Sequence, residues 1–388
     1  MDALYCNRIH LRWVTFFSYG GSGMNRQDRD LFGLQILRAI AAIGVIVRHT
    51  LDMSDGSEAG RFSPAWLTAA GGAGVDLFFV ISGFIMVYVS FPQGQPPDTP
   101  KRFIVKRATR IFPLYWICSA AIAAISLIGF LRNMHIDSYT IFNSAFLLPG
   151  EKLIYVAWTL SYEIYFYIIF AVSLCFGRIL PTSVSTIFMM IGGILIGREI
   201  QNSTLADFAS SPLVMEFCFG IVLALSFSAS RKWRVPAALG VLGFLVIIVS
   251  PIFVPHPGAL PDATRVIAWG LPATLIVAAF LEVRRPQSKA GRAAVLLGDA
   301  SYALYLTHVF VMIAYGWLIK STLVGGMSQV VVAPVIIILC LIVGVLTHLF
   351  VERPVLDYVR KVTRRQPARW LLEARSQTPE IEAGSLSR

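Results

Sequence analysis

The chain has 388 residues, of which 56% are hydrophobic and 14% charged, with a mean hydropathy of +0.68. Soluble domains carry about 25% charged residues, so the composition excludes an ordinary soluble domain and indicates an integral membrane protein. The net charge of +11 invites a nucleic-acid reading, which the distribution of the basic residues excludes.

A run of about 20 apolar residues spans roughly 30 Å of hydrocarbon, and in lipid a helix satisfies its own backbone polar groups. Such runs occur at 33–52, 66–90, 111–130, 156–176, 182–197, 211–229, 235–254, 265–282, 299–319 and 329–351. They predict an all-α, polytopic membrane bundle of about ten transmembrane helices, with both termini on one side. Polar or proline-marked breaks separate the runs, among them "FPQGQPPDTPKR" and "VRRPQSKAGR". With the N-terminus in the cytoplasm, 26 of the 33 basic residues fall in cytoplasmic segments. The other side keeps Arg48, Arg61, Arg132, Lys152, Arg198, Arg265 and Lys320. This asymmetry is the positive-inside pattern, and it accounts for the basic balance without nucleic acid. The expected organisation is a cytoplasmic extension over 1–32, a membrane domain over 33–355 and a basic, partly disordered cytoplasmic tail over 356–388. Met24 is an alternative start. The five cysteines are odd in number and form no CxxC, and the six histidines form no HExxH, so neither a disulfide framework nor a metal site is expected.

The first span, "GLQILRAIAAIGVIVRHT", carries Arg38 and His49. Eleven residues turn an α-helix by about 1100°, three turns plus about 20°, so the two side chains share a face about 16 Å apart along the axis. Ionisable residues inside a span mark function by default, although a snorkelling arginine and a helix-end histidine are the structural alternative. Arg48 points about 100° away. The second span places Asp76 within the membrane, followed by Ser82 and Gly83. A carboxylate there needs a partner, and Arg38 or Arg48 are the candidates; glycines 71, 72, 74 and 83 allow close helix packing.

The third span opens "KRFIVKRATRIFPLYW". Arg107 and Arg110 stand i, i+3 and share a face, a geometry suited to a phosphate clamp but equally to the positive-inside pattern. The fourth span puts Glu163 near its outer end behind Trp158. The ninth places His308 mid-membrane, after Asp299, Ser301, Tyr302 and Tyr305. The tenth ends at Glu352 and Arg353, read as boundary residues, with His348 read as structural.

Arg38 and His49, then "GVDLFFVISGF", "KRATRIFPLYW", "AWTLSYE", "SYALYLTH" and "VERP", resemble in that order the acyltransferase-3 family. Its members are ten-span inner-membrane enzymes that O-acylate, most often O-acetylate, surface glycans. The resemblance covers about residues 33 to 355, is strongest to the branch acting on exopolysaccharide, and implies a bacterial inner-membrane location. It implies that Arg38 and His49 are essential, that Arg107 and Arg110 help bind acetyl-CoA, and that Glu163 and His308 occupy family motif positions. Arg48 departs from the family pattern, where an apolar residue is commoner.

The expected mechanism runs a cytoplasmic acyl-CoA from Arg107, Arg110 and Arg38 up the bundle to His49, the general base for a glycan hydroxyl. Glu163 or Asp76 would orient the imidazole. A covalent relay through His49, Ser82, Ser161 or Ser301 is the variant. The acceptor is a polysaccharide or lipid-linked glycan, and a homo-oligomeric or export-complex partner stays open. A proton-coupled transporter or flippase is the rival class, since carriers also use intramembrane carboxylates and histidines; a non-catalytic scaffold of an export complex is the third.

Overall fold

The computed structural model describes residues 31–55, 64–92, 94–131, 136–230, 232–253, 262–283, 286–319 and 328–365. The expectations for segment 1–30, for Met24 as start and for the tail beyond 365 lie outside the described residues, as do Arg61, Arg132 and Lys320. The chain forms an all-helical, multi-pass membrane bundle. Among the described residues nine helices are long and apolar enough to cross a membrane, and a further apolar helix, Ala237–Phe253, is shorter. The ten apolar runs therefore correspond to ten helical regions.

Helix α1 (Phe32–Asp55) carries Arg38 and His49. The second run divides into α2 (Ala65–Gly72) and α3 (Gly74–Ser90). Helix α4 (Pro100–Leu127) starts eleven residues before the apolar run. Thr99 caps it through its side chain and Pro100 takes the first turn, where a missing N–H costs nothing. Arg107 and Arg110 consequently sit inside a regular helix. The short α5 (Ser138–Phe146) precedes α6 (Trp158–Ser173), which carries Glu163. Next come α7 (Ile179–Glu199), α8 (Thr204–Ala209), α9 (Met215–Ala229) and α10 (Ala237–Phe253). The eighth run is a composite. Helix α11 (Asp262–Arg265) leads through the π-helical turn Val266–Gly270 into α12 (Leu271–Phe280). After α13 (Lys289–Asp299) come α14 (Ser301–Ile319) and α15 (Gln329–Thr347). A second π-helical turn, His348–Glu352, joins α15 to α16 (Arg353–Arg365).

Close helix contact fixes the centre of the bundle. Gly83 of α3 lies against the backbone carbonyl of Phe217, and Gly220 of α9 lies against Val80 and Phe84 of α3. With lipid as solvent, such small-residue contacts let two backbones approach and gain dispersion energy. Around the crossing, Phe217 stacks on both Phe79 and Phe166, with ring centroids 4.6 Å apart in each pair. Helix α1 packs on α2, α3, α13, α14 and α15, so both ends of its polar face open onto several neighbours.

Candidate active site

His49 and His308 come together. Their rings stack at 5.3 Å between centroids with 24° between planes. Tyr155 meets His49 edge-on at 5.4 Å and 85°, and the Tyr305 ring lies 6.0 Å from His308. His49 is partly exposed, whereas His308 is fully buried. The His308 Nδ1 lies 3.3 Å from the Leu304 carbonyl oxygen. A carbonyl only accepts, so Nδ1 carries the proton and Nε2 keeps its lone pair. Nε2 has no hydrogen-bond partner among the described residues. The Tyr305 hydroxyl shares a 2.7 Å hydrogen bond with Thr159 and donates to the Val156 carbonyl, fixing α14 to the start of α6 beside the two imidazoles.

The intramembrane carboxylates are placed elsewhere. Asp76 is fully buried and accepts both Arg265 Nε at 3.0 Å and Arg265 Nη2 at 2.9 Å. This corrects the expected partner: Arg48 instead pairs with Asp52 at 2.8 Å, and Arg38 donates to Gln35 at 3.3 Å. Glu163 accepts hydrogen bonds from Ser82, at 3.3 Å, and from the Tyr167 hydroxyl. Neither Asp76 nor Glu163 hydrogen-bonds His49 in the described structure, so the expected carboxylate–imidazole contact is replaced by ring contacts with His308 and Tyr155. None of the hydroxyls expected for a covalent relay hydrogen-bonds an imidazole among the described residues. Ser82 turns to Glu163, while the buried Ser161 and Ser301 oxygens make no hydrogen bond among the described residues.

The Arg38 end of the bundle holds a separate cluster of cations. Arg38 lies within electrostatic reach of Arg110, Asp299, Glu352 and Glu163. Arg110 is ion-paired with Glu352, which also binds His348 Nδ1 at 2.6 Å; Arg353 Nε lies 3.0 Å from His348 Nε2. Glu352 is 1% exposed. It is therefore no boundary residue but the buried counter-ion of Arg110, and His348 orients it. Arg107 takes a different role from Arg110. Its guanidinium sits over Phe103 at 5.6 Å and Tyr167 at 6.0 Å, and its buried Nε has no partner among the described residues. A narrow cleft beside Arg110 is lined by Pro113, Leu114, Ile117, Glu352 and Val355. A larger cavity of about 330 Å³, walled by Leu245, Val249, Phe253 and Ala268, is apolar and contains none of these residues.

Sequence reasoning missed Tyr155, Arg265 and the Arg110–Glu352–His348 network. Tyr155 is an ordinary interfacial residue by position, and nothing local marks its contact with His49. The network did have a local signal, the i, i+4 spacing of His348 and Glu352. Both π-helical turns border these missed residues, as such turns often border functional sites.

A helical membrane bundle with a stacked histidine pair at one end, one ring partly exposed and the other buried, and a cation cluster at the other suits group transfer within the membrane. Residues 31–349 match the acyltransferase domain of the acyltransferase-3 family, and the chain belongs to that family; it is a multi-pass membrane acyltransferase. It is 30% identical over 313 residues to the exopolysaccharide production protein ExoZ of Rhizobium meliloti (strain 1021), across 76% of this chain and 92% of that protein. It is 25% identical over 374 residues to the putative membrane-bound transacylase BcsY of Komagataeibacter xylinus, across 89% of this chain and 87% of that one. The O-acetyltransferase OatA of Staphylococcus aureus (strain NCTC 8325 / PS 47) is 24% identical over 375 residues, 84% of this chain and 57% of that protein. No solved structure matches the chain.

Proposed function

We propose that the protein moves an acyl group, acetyl by preference, from cytoplasmic acetyl-CoA to a hydroxyl of an exported polysaccharide or lipid-linked glycan in a bacterial inner membrane. The observation that carries this reading is the stacked His49–His308 pair, joined along α1 to the Arg38 cluster about 16 Å away. The names of the relatives above support the glycan acceptor and the acetyl group.

The anionic end of the donor rests on Arg107, Arg110 and Arg38, and its pantetheine arm follows α1 toward His49. Arg107 suits this role because its Nε is unsatisfied and its aromatic neighbours hold the guanidinium plane without consuming its donors. Arg110 carries a counter-ion already, so it contributes position more than net charge. At the far end His49 takes the proton from the acceptor hydroxyl, and the oxygen attacks the thioester carbonyl carbon. The carbon–sulfur bond then breaks and the imidazolium returns the proton to the departing thiolate. The buried neutral His308 offers its π face to the transient imidazolium and fixes the ring plane of His49. Direct transfer is preferred over a relay because no candidate serine hydrogen-bonds either imidazole among the described residues.

The test uses purified full-length protein in liposomes with labelled acetyl-CoA and an oligosaccharide acceptor. Label passes to the acceptor with the wild type, and His49→Gln lowers transfer by about 10²–10⁴-fold with normal protein level. Transfer by His49→Gln at the wild-type rate overturns the general-base assignment. Glycan uptake without acyl transfer favours a carrier instead.

A further inference from the structure

The His49 end of the bundle presents a set of side chains that the transfer chemistry does not use. Tyr155 touches the His49 ring edge-on and is 50% exposed, and Trp158, one helical turn further, is 37% exposed. Behind Trp158 lies the Arg265 guanidinium, 5.8 Å from its ring and 5.2 Å from the ring of Trp269. Arg265 is held flat by its two hydrogen bonds to Asp76. The Trp269 ring and an Arg48 guanidinium nitrogen both crowd Gly72, where an added Cβ would stand 3.0 Å from the first and 2.7 Å from the second. Arg48 continues to Asp52, whose side chain is 45% exposed, and Asp52 lies within electrostatic reach of both Tyr155 and His49. A chain of contacts therefore runs from Trp158 through Arg265, the buried Trp269 and Arg48 to Asp52, with Tyr155 and His49 beside it; Trp158, Tyr155 and Asp52 are its exposed members.

Aromatic residues at a span end ordinarily form an interfacial belt. These two do something further. Tyr155 turns its ring to an imidazole, and Trp158 lies against an arginine that is itself bound to a buried carboxylate. Each cation on the surface has its own carboxylate, Arg48 with Asp52 and Arg265 with Asp76. An anionic ligand would have to compete with those carboxylates, whereas an uncharged one gains hydrogen bonds from a fixed, neutral array. Aromatic faces beside paired donors and acceptors match one ligand chemistry: a pyranose ring, with an apolar C–H face and a rim of hydroxyls.

Resting on the O-acyl-transfer reading above, we propose that Tyr155 and Trp158 form the acceptor platform. A neutral pyranosyl residue stacks on them, hydrogen-bonds through its rim to Arg48 and Asp52, and so presents one hydroxyl to His49. The platform selects the sugar and orients it; it takes no part in proton transfer.

The test uses full-length protein in nanodiscs, the wild type against Tyr155→Leu and Trp158→Leu, with Tyr155→Phe and Trp158→Phe as ring-preserving variants. Two matched oligosaccharide acceptors are offered, one neutral and one carrying a carboxylate on the ring. Binding is read by calorimetry and transfer from labelled acetyl-CoA by steady-state kinetics. The leucine variants raise the acceptor KM about tenfold, the size of one lost aromatic contact. The donor KM stays unchanged, the phenylalanine variants stay near wild type, and the neutral acceptor binds more tightly. Unaltered acceptor KM in soluble, monodisperse leucine variants overturns the platform while leaving acyl transfer intact. If instead the wild type binds the neutral sugar, loses it in the leucine variants and yet transfers no acyl group, the platform stands and the transfer reading fails. Preference for the carboxylated acceptor, or no binding of either by the wild type, also overturns the platform.

Discussion

Replacing Asp76 with asparagine separates a positioning role from a catalytic one. Asp76 has no exposed surface and its oxygens hold Arg265 at 3.0 and 2.9 Å. Asparagine keeps the shape, leaves one carbonyl oxygen as acceptor and strands the charge of Arg265. Removing one partner of a buried pair costs about 3–5 kcal/mol. Arg265 is 17% exposed and stacks on two tryptophans, so part of that cost is recovered, leaving about 2–4 kcal/mol. At about 2 °C per kcal/mol for a chain of this size, Asp76→Asn should lower the apparent Tm in detergent or nanodiscs by about 4–8 °C. The double variant Asp76→Asn with Arg265→Gln, which removes the stranded charge, should recover at least half of the loss. Activity gives the complementary measurement. Asp76 does not contact His49, so below the lowered Tm the single variant should keep kcat within about tenfold of wild type. An unchanged Tm refutes the energetic argument, and a folded Asp76→Asn protein slowed by about a thousandfold or more would return Asp76 to the catalytic group.

Two further measurements follow from the packing and from the surface. Gly83→Val forces a branched side chain into the Phe217 carbonyl; overpacking of this kind costs about 1–3 kcal/mol or more, so folded yield should fall, and a normal yield and Tm would show that α3 and α9 can separate. Burial lowers the Lys152 ammonium to about 8 from an unfolded value near 10.4. Folding thus favours the neutral amine: the cation costs stability below about pH 8, and that cost disappears as pH rises past about 10.4. A membrane-impermeant amine reagent should therefore modify Lys152 with a midpoint near pH 8, from outside intact cells. A midpoint near the ordinary lysine value of about 10.4, or labelling only after permeabilisation, would contradict respectively the burial and the assigned orientation.

The helical regions were legible in the sequence because one physical quantity, apolar length, dominates when the solvent is lipid. Their internal breaks were less so. The interruption between α2 and α3 falls within an apolar stretch around Gly72 and Gly74, where no polar residue announces it. The early start of α4 was written in the sequence as Thr99 followed by Pro100, an N-cap and first-turn signature overshadowed by the basic cluster that follows. At the candidate site, residue identity was legible but pairing was not. Asp76 meets Arg265 across 189 positions and Arg110 meets Glu352 across 242, and no local pattern encodes such choices. That His49 and His308 both lie within apolar spans could be read from the sequence; that they stack on each other could not.

Charge pairing also explains where a ligand can enter. Asp76 with Arg265, Asp52 with Arg48, Asp98 with Lys106, and Glu352 with Arg110 and His348 neutralise one another. Such pairs satisfy the demand that charges within a membrane be compensated, and they hold the helices in one arrangement without offering free valence. Three buried side-chain nitrogens lack a hydrogen-bond partner among the described residues; one is the neutral amide of Asn143, and the two on ionisable groups are Arg107 Nε and His308 Nε2. An unsatisfied buried polar atom costs about 1–3 kcal/mol, a cost a bound substrate can relieve. Of the two on ionisable groups, one is a cation suited to a phosphate, the other a lone pair beside the His49 imidazole. His308 stands on α14, which packs on α1, the element whose single face runs from Arg38 to His49, and Arg107 stands on α4, which packs on α14 in turn. A donor with an anionic head and a long, weakly polar arm fits that division better than a small transported ion, which would need compensated sites repeated along its whole path. The unpaired nitrogens thus favour transfer over transport, on grounds independent of the family to which the chain belongs.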